Sequence, residues 1–435
     1  MTSLPMPRGA VVPTDTRAHT GKATPIALLV LFVLAPKAGV VDFSGLVIGV
    51  WFLVAWLMGS RRIILSDDGS LLVPLLWVTL LGLACVAYLV YGQVSAEIIF
   101  KPVRQLVLLT MLIYLFRQYE LTAIDALKAA LVAAAANGLV VILQYVLDAM
   151  HIAPDFLIMP GFDASINVPF RKPGLTAGYP VAGMLAVFGI VIAASWLRAR
   201  RAGWVVLCLL LCMVSVTVTS RMALLFGIVA IIVLVVPAAV ARPRLLILYG
   251  TIALAGVIAF QRYSGLLHYD TIGVMFELFI NLSQGQVETK STTALIESYG
   301  LLPDKLLTLL IGNGTYNLSD SGLNVDAGFQ SIMFSAGGVA LLLYVALSWC
   351  YFRKAWSAVR GTYFSTAVVL LYVMVMVANL KTDAFFSRSF GDAWLLIVAA
   401  GYGLVRDDDE WARPRADRPP DEPPGPAHSR LPGYV

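Results

Sequence analysis

Twelve apolar runs follow one another along this chain, at roughly 24–36, 40–59, 70–91, 98–116, 123–149, 174–197, 203–219, 222–240, 244–260, 327–351, 363–380 and 390–405. Most come near the ~20 residues that an α-helix needs to cross the hydrocarbon core of a bilayer. In lipid such a run has to be helical, because every backbone N–H and C=O must find its partner inside the segment. Only 13% of the residues are charged, about half the share found in soluble domains, and the mean hydropathy is +0.82. The expectation is an all-α polytopic membrane protein of about 12 transmembrane helices, whose core is the bundle itself. The first run is short, and the first two can form a tight hairpin turning at Pro36–Lys37. Segments 1–22 and 406–435 read as disordered ends around a bundle spanning 23–405. No small-residue cleavage site follows the first run, so a cleavable signal is not expected.

Loop charge sets the orientation, because short cytoplasmic loops carry the excess of Lys and Arg. One set of loops holds Arg61–Arg62, Arg117, Arg198, Arg200 and Arg201, Arg242 and Arg244, and Arg353, Lys354 and Arg360. Arg8, Arg17 and Lys22 and the C-terminal tail fall on the same side, so both termini are expected in the cytoplasm. The opposite, periplasmic side then carries 150–173, the Ser220–Arg221 turn, 261–326 and 380–390. Because the basic residues sit at span ends, the net charge of +5 gives no case for a nucleic-acid partner. Cys85, Cys208, Cys212 and Cys350 all lie inside apolar runs, where small core residues are the natural reading.

The loop 261–326 is too long for a plain helix–helix connection. Within it Thr271–Ser283 has an amphipathic pattern, and Ser291–Tyr299 and Pro303–Ile311 read as short helices, the second stopped by Gly312. A long loop with helices of its own is where a multispan protein keeps chemistry. The alternative is a structural cap over the bundle.

Several cations break the charge bias on the outer side. Arg171 and Lys172 precede a span, Arg221 sits in a turn with almost no loop, Lys101 and Arg104 fall in the first turns of the fourth span, Arg262 opens the long loop, and Lys381 and Arg388 flank "KTDAFFSRSFGD". An anion at the outer boundary would explain them, since arginine offers a planar fork suited to phosphate oxygens. The alternatives are snorkelling to lipid headgroups or pairing with Asp383 and Asp392. Asp326 immediately precedes the tenth run, where it can act as a general base towards a hydroxyl or simply cap the helix. His151 and His268 stand alone, and no cluster with metal-ligand spacing occurs on this side, so no metal and no cofactor are expected.

Three stretches together resemble the O-antigen polymerase (Wzy-type) and O-antigen ligase superfamily: "VSVTVTSRMALLFGIVAIIVLVV", "LLTLLIGNGTYNLSDSGLNVDAGFQSIMFSAGGVALL" and "ANLKTDAFFSRSFGDAWLLIV". The resemblance covers roughly 205–405 and rests on the Ser220–Arg221 turn, the "GNG" at 312–314 and the glycine pair at 337–338. Ligases of that superfamily have a His-Asn-containing stretch where this chain has Asn324-Val325-Asp326-Ala327-Gly328, which favours a polymerase. The resemblance implies a GT-C-like bundle in the bacterial inner membrane that joins undecaprenyl-diphosphate-linked repeat units without a metal. The polyprenyl diphosphate is already a competent leaving group. The protein would supply orientation, donors for the growing charge and a base. On this reading Asp326 and Arg221 are catalytic, and Arg171, Arg262, Lys381, Arg388 and Arg104 bind diphosphate or glycan. The lipid bilayer and the lipid-linked glycan are the partners, and a chain-length regulator is left open. A ligase acting on lipid A–core or protein, and a transporter or flippase of lipid-linked sugars, are the competing readings.

Overall fold

The computed structural model describes residues 22–35, 37–38, 41–58, 72–92, 96–150, 152, 172–176, 178–199, 202–236, 281, 305–314, 328–382 and 384–403. Within them every apolar run is a helix. These helices are α1 Ala23–Leu34, α2 Phe43–Met58, α3 Leu72–Tyr91, α4 Ala96–Gln118, α5 Ala123–Ala149, α6 Tyr179–Ala199, α7 Gly203–Thr219 and α8 Arg221–Ala230. A π-helical turn, Ile231–Val235, continues α8. The short α9, Leu306–Ile311, precedes α10 Gly328–Val359, α11 Ser365–Ala378 and α12 Phe390–Gly403. Five of these helices are long and apolar enough to cross a membrane, and six shorter ones are apolar throughout. Large apolar side chains such as Leu57, Met58, Leu89 and Leu342 point outward, as a lipid-facing surface requires. This is the architecture of a membrane-embedded helical protein. The ninth run, the loop helices expected at 271–283 (apart from Asn281, which is helical) and 291–299, and both chain ends lie outside the described residues.

The bundle is built around α6, in which Ala182–Leu197 are all buried. It packs against α5, α7, α8, α11 and α12. Lipid offers helices little hydrophobic reason to associate, so contact must come from close backbone approach over small residues. That is what happens here. A Cβ on Gly189 would lie 2.5 Å from the Cys212 sulfur, and one on Gly138 would lie 2.9 Å from the Leu211 carbonyl oxygen.

Two sets of contacts define the ends of the bundle. At one end Lys22 pairs with Asp125 at 3.3 Å, Arg117 donates to the Tyr402 carbonyl at 3.0 Å, and the Lys354 ammonium lies 4.6 Å from the centre of the Tyr402 ring. At the other, the Asp42 end, α1 and α2 are joined by two-residue strands, β1 Lys37–Ala38 and β2 Val41–Asp42, paired antiparallel with Lys37 opposite Asp42. This small ladder is a tight hairpin as expected, but Lys37 lies in its first strand and not at its turn. The segment before α6 is held at the same end by polar groups of α5. Asn137 accepts from the Leu175 N–H at 2.7 Å, and Gln144 both accepts from and donates to the Gly174 backbone. Lys172, itself buried, pairs with Asp148 at 3.0 Å. These bonds hold Gly174 and Leu175 outside α6, which starts later than the apolar run does.

α10 differs from the uninterrupted span that its apolar run predicts. At Gly337 the backbone turns to φ 86°, ψ 173°, a conformation essentially reserved for glycine, and the helix is broken there. The carbonyls freed by the break are taken by the end of α9. Asn313 N–H donates to the Phe334 carbonyl at 2.7 Å, and Gly314 N–H to the Ser335 carbonyl at 3.0 Å. Gly312, at φ 75° and ψ −176°, ends α9 and lies so close to Ser335 and Ala336 that a Cβ would overlap their backbone; a Cβ on Gly337 would overlap the Leu310 carbonyl. Two glycine-containing turns therefore interlock main chain to main chain. Tyr91 and Thr308 hydroxyls, 3.1 Å apart, tie α9 to α3.

Candidate functional site at the Asp42 end

Arg104 lies in the third turn of α4, and its guanidinium is enclosed by two carboxylates. Nη1 and Nη2 donate to the two oxygens of Asp392, each at 2.8 Å, Nε donates to Asp42, and Nη2 also reaches the Ser44 hydroxyl at 2.7 Å. The Asp392 side chain is only 1% exposed. A carboxylate that deep is tolerable only when it is paired and hydrogen-bonded, and a bidentate arginine meets both conditions. Asp392 is also tied into the helix start it belongs to. It accepts from the Ser389 N–H at 3.2 Å, the backbone half of a capping box for α12. Ser389 itself sits at φ 61°, a positive value that side-chain-bearing residues adopt reluctantly.

Asp42 plays a matching part at the start of α2, where it accepts from the Ser44 hydroxyl and from the Gly45 N–H at 3.4 Å. One of its oxygens also receives Arg388 Nη1 at 3.2 Å. Burial works to raise the Asp42 pKa, but the Arg104 charge, the Ser44 and Arg104 bonds and the Arg388 charge together hold it below the ordinary carboxylate range. Arg388 is shifted down from the usual arginine value by burial first and by the neighbouring Arg104 charge, against the pull of Asp42 and Asp392. Four charges from residues 42, 104, 388 and 392 thus meet where α2, α4 and α12 come together.

The turn between α11 and α12 packs inward. Phe385 and Phe386 are buried against Tyr344, and the Phe385 ring also packs at a tilt against Tyr351. Gln105 donates to the Phe385 carbonyl at 2.9 Å, and buried Asn379 accepts from the Tyr344 hydroxyl at 2.9 Å and from the Ala384 N–H at 3.2 Å. The backbone carrying Arg388 is therefore set rigidly into the bundle.

Of the cations singled out in the sequence, Lys101, Arg104, Lys172, Arg221, Lys381 and Arg388 are at this end. Arg221 is the first residue of α8, half-buried, in a turn whose Ser220 packs against Gly183 of α6. Lys381 closes the end of α11, its N–H donating to the Ala378 carbonyl at 2.9 Å. Arg104 does not offer an open fork to an anion, because two carboxylates and a serine take its donors; the pairing with Asp392 weighed as an alternative is the one the structure has. Asp326, Arg171 and Arg262 lie outside the described residues. Asp42 and Ser44 were missed by sequence reasoning. The available signal was an acidic residue at the outer mouth of a span, the same signal that drew attention to Asp326. No cluster of three or more metal-ligating side chains occurs among the described residues. Comparison with known protein families, curated proteins and solved structures returned no match.

Proposed function

We propose that this protein is a polysaccharide polymerase, a metal-independent glycosyltransferase that joins undecaprenyl-diphosphate-linked repeat units at the periplasmic face of a bacterial inner membrane. Twelve spans with both termini in the cytoplasm would put the Asp42 end on that face. One observation carries the reading. Two of the three motifs behind the resemblance, Gly312–Gly314 and Gly337, are physically interlocked, and the third, the Ser220–Arg221 turn, packs against Gly183 near the start of α6. In this scheme Arg221 donates to the leaving diphosphate, Asp326 takes the acceptor hydroxyl proton, and Arg171, Arg262, Lys381 and Arg388 bind the substrate. Arg104 braces the site from behind.

The break in α10 favours a second reading, transport of lipid-linked sugars, because discontinuous helices mark transporter binding sites. In such sites the broken ends face the substrate, whereas here the Phe334 and Ser335 carbonyls are already bonded to Asn313 and Gly314. That supports a docking seam for the loop helix. The deciding experiment incubates purified protein in vesicles with undecaprenyl-diphosphate-linked repeat units and separates the products on a gel. A ladder of multimers that persists with chelator is expected. Unchanged monomer with movement of the lipid across the vesicle would replace the enzyme with a transporter, and product formed only with lipid A–core would make it a ligase.

A further inference from the structure

The charges at the junction of α2, α4 and α12 balance: Arg104 and Arg388 against Asp42 and Asp392. They do not share their bonds equally. Arg104 and Asp392 bond almost wholly to protein groups, with side chains 16% and 1% exposed. Asp42 and Arg388 form the outer layer, 22% and 21% exposed. Among the described residues Arg388 donates to Asp42 alone, from one terminal nitrogen. Arg388 Nε and Nη2 make no bond among the described residues, and Asp42 Oδ2 accepts only from Arg104 Nε, the other three Asp42 bonds all falling on Oδ1.

A diphosphate is a poor match for this pair, because its charge would come up beside the Asp42 carboxylate, which is held ionised. Like charges brought together at a binding surface cost affinity. Sugar hydroxyls fit better. Each hydroxyl is both donor and acceptor, so neighbouring hydroxyls of one ring can accept from Arg388 and donate to Asp42 with no net charge to accommodate. We propose that the Asp42–Arg388 pair binds the carbohydrate of the lipid-linked substrate through its hydroxyls, and that it is not a diphosphate site. This deepens the polymerase reading and rests on it for the identity of the substrate. The pair is also held in place beforehand. Asp42 is fixed at the start of α2 by Ser44 and Gly45, and Arg388 stands beside the capped start of α12. Neither side chain must be ordered when the glycan arrives.

The test measures the affinity of the full-length protein in lipid nanodiscs for three probes: bare undecaprenyl diphosphate, undecaprenyl-diphosphate-linked repeat unit, and the same oligosaccharide released from its lipid. Arg388→Gln is expected to weaken both sugar-bearing probes about tenfold or more, the scale of a hydrogen bond to a charged group, and to leave the bare lipid within twofold. Equal loss on the bare lipid would make this a diphosphate site, and no change on any probe would reduce the pair to a structural brace; either result overturns the proposal. Should Arg388→Gln not extract as a folded protein, Arg388→Lys keeps the charge beside Asp42 but not the fork, and the same selectivity for sugar-bearing probes is expected with a smaller factor. Arg388-dependent binding of the released oligosaccharide by a protein that makes no polymer would sink the proposed reaction and leave this site standing. Polymer made by wild-type protein, with glycan affinity indifferent to Arg388, would do the reverse.

Discussion

Gly337→Ala attacks the seam between α9 and α10 at its narrowest point. The backbone there, φ 86° and ψ 173°, is a conformation that costs a side-chain-bearing residue about 1–3 kcal/mol. The new methyl also overlaps the Leu310 carbonyl, so α9 must back away. Retreat breaks the bonds from Asn313 to Phe334 and from Gly314 to Ser335, each worth about 1 kcal/mol. The seam should lose about 3–5 kcal/mol in all. At about 1.4 kcal/mol per factor of ten, amides in 312–314 should exchange with deuterium roughly 10²-fold to several thousand-fold faster when followed by mass spectrometry. Exchange in α6 should be unaffected. Gly361→Ala is the control, because Gly361 also has a positive φ, 80°, but nothing lies within 4 Å of its Cβ position. If Gly337→Ala left exchange at 312–314 within threefold of wild type, or if Gly361→Ala raised it as much, the interlock would not be what holds α9.

Other consequences can be checked separately. Arg221→Ala should lower polymer yield about 10²-fold, the effect of losing one donor to developing charge, and Arg221→Lys should also impair it because the fork is lost; normal long polymer at matched protein level would make Arg221 a headgroup anchor. Asp392→Asn leaves Arg104 without its buried partner and should destabilise the detergent-extracted protein by about 3–5 kcal/mol, whereas an unchanged melting profile would contradict the brace. Asp42 has a depressed folded-state pKa, so its contribution is complete above the unfolded carboxylate value near ~4 and disappears as pH falls through the folded one. Asp42→Asn should therefore flatten the acid limb of a stability–pH curve and leave its alkaline limb alone. Ser319→Cys should react with an impermeant maleimide from outside intact cells, and labelling only after the cytoplasm is opened would invert the proposed topology.

The helices were legible because bilayer physics writes itself into composition. The run at 203–219 and α7 share both bounds, and the run at 123–149 and α5 do too. Gly312 was readable as the end of α9 for a similar reason, a glycine just after a short apolar helix. The break at Gly337 was hidden, since two glycines in an apolar run look the same whether the helix continues or parts around a neighbouring backbone. Asp42 was hidden because ion pairing between residues 42 and 104, or 42 and 388, has no periodic signature. Asp392 was easier to suspect, standing four residues after Arg388 in the sequence, on the side where cations needed a partner.

The two carboxylates around Arg104 also impose an order on synthesis. Asp42 precedes Arg104 by 62 residues and Asp392 follows it by 288. When the ribosome delivers α4 to the membrane, the counter-ion that holds Arg104 for life does not yet exist, and Asp42 with Ser44 is the temporary partner already present. The first four helices can therefore settle with two bonds, from the arginine's Nε to Asp42 and from Nη2 to Ser44, and the bidentate clasp closes only when α12 arrives. A chain cut short before α12 would hold Arg104 by two of its four bonds, with Nη1 lacking the buried carboxylate that the complete bundle supplies.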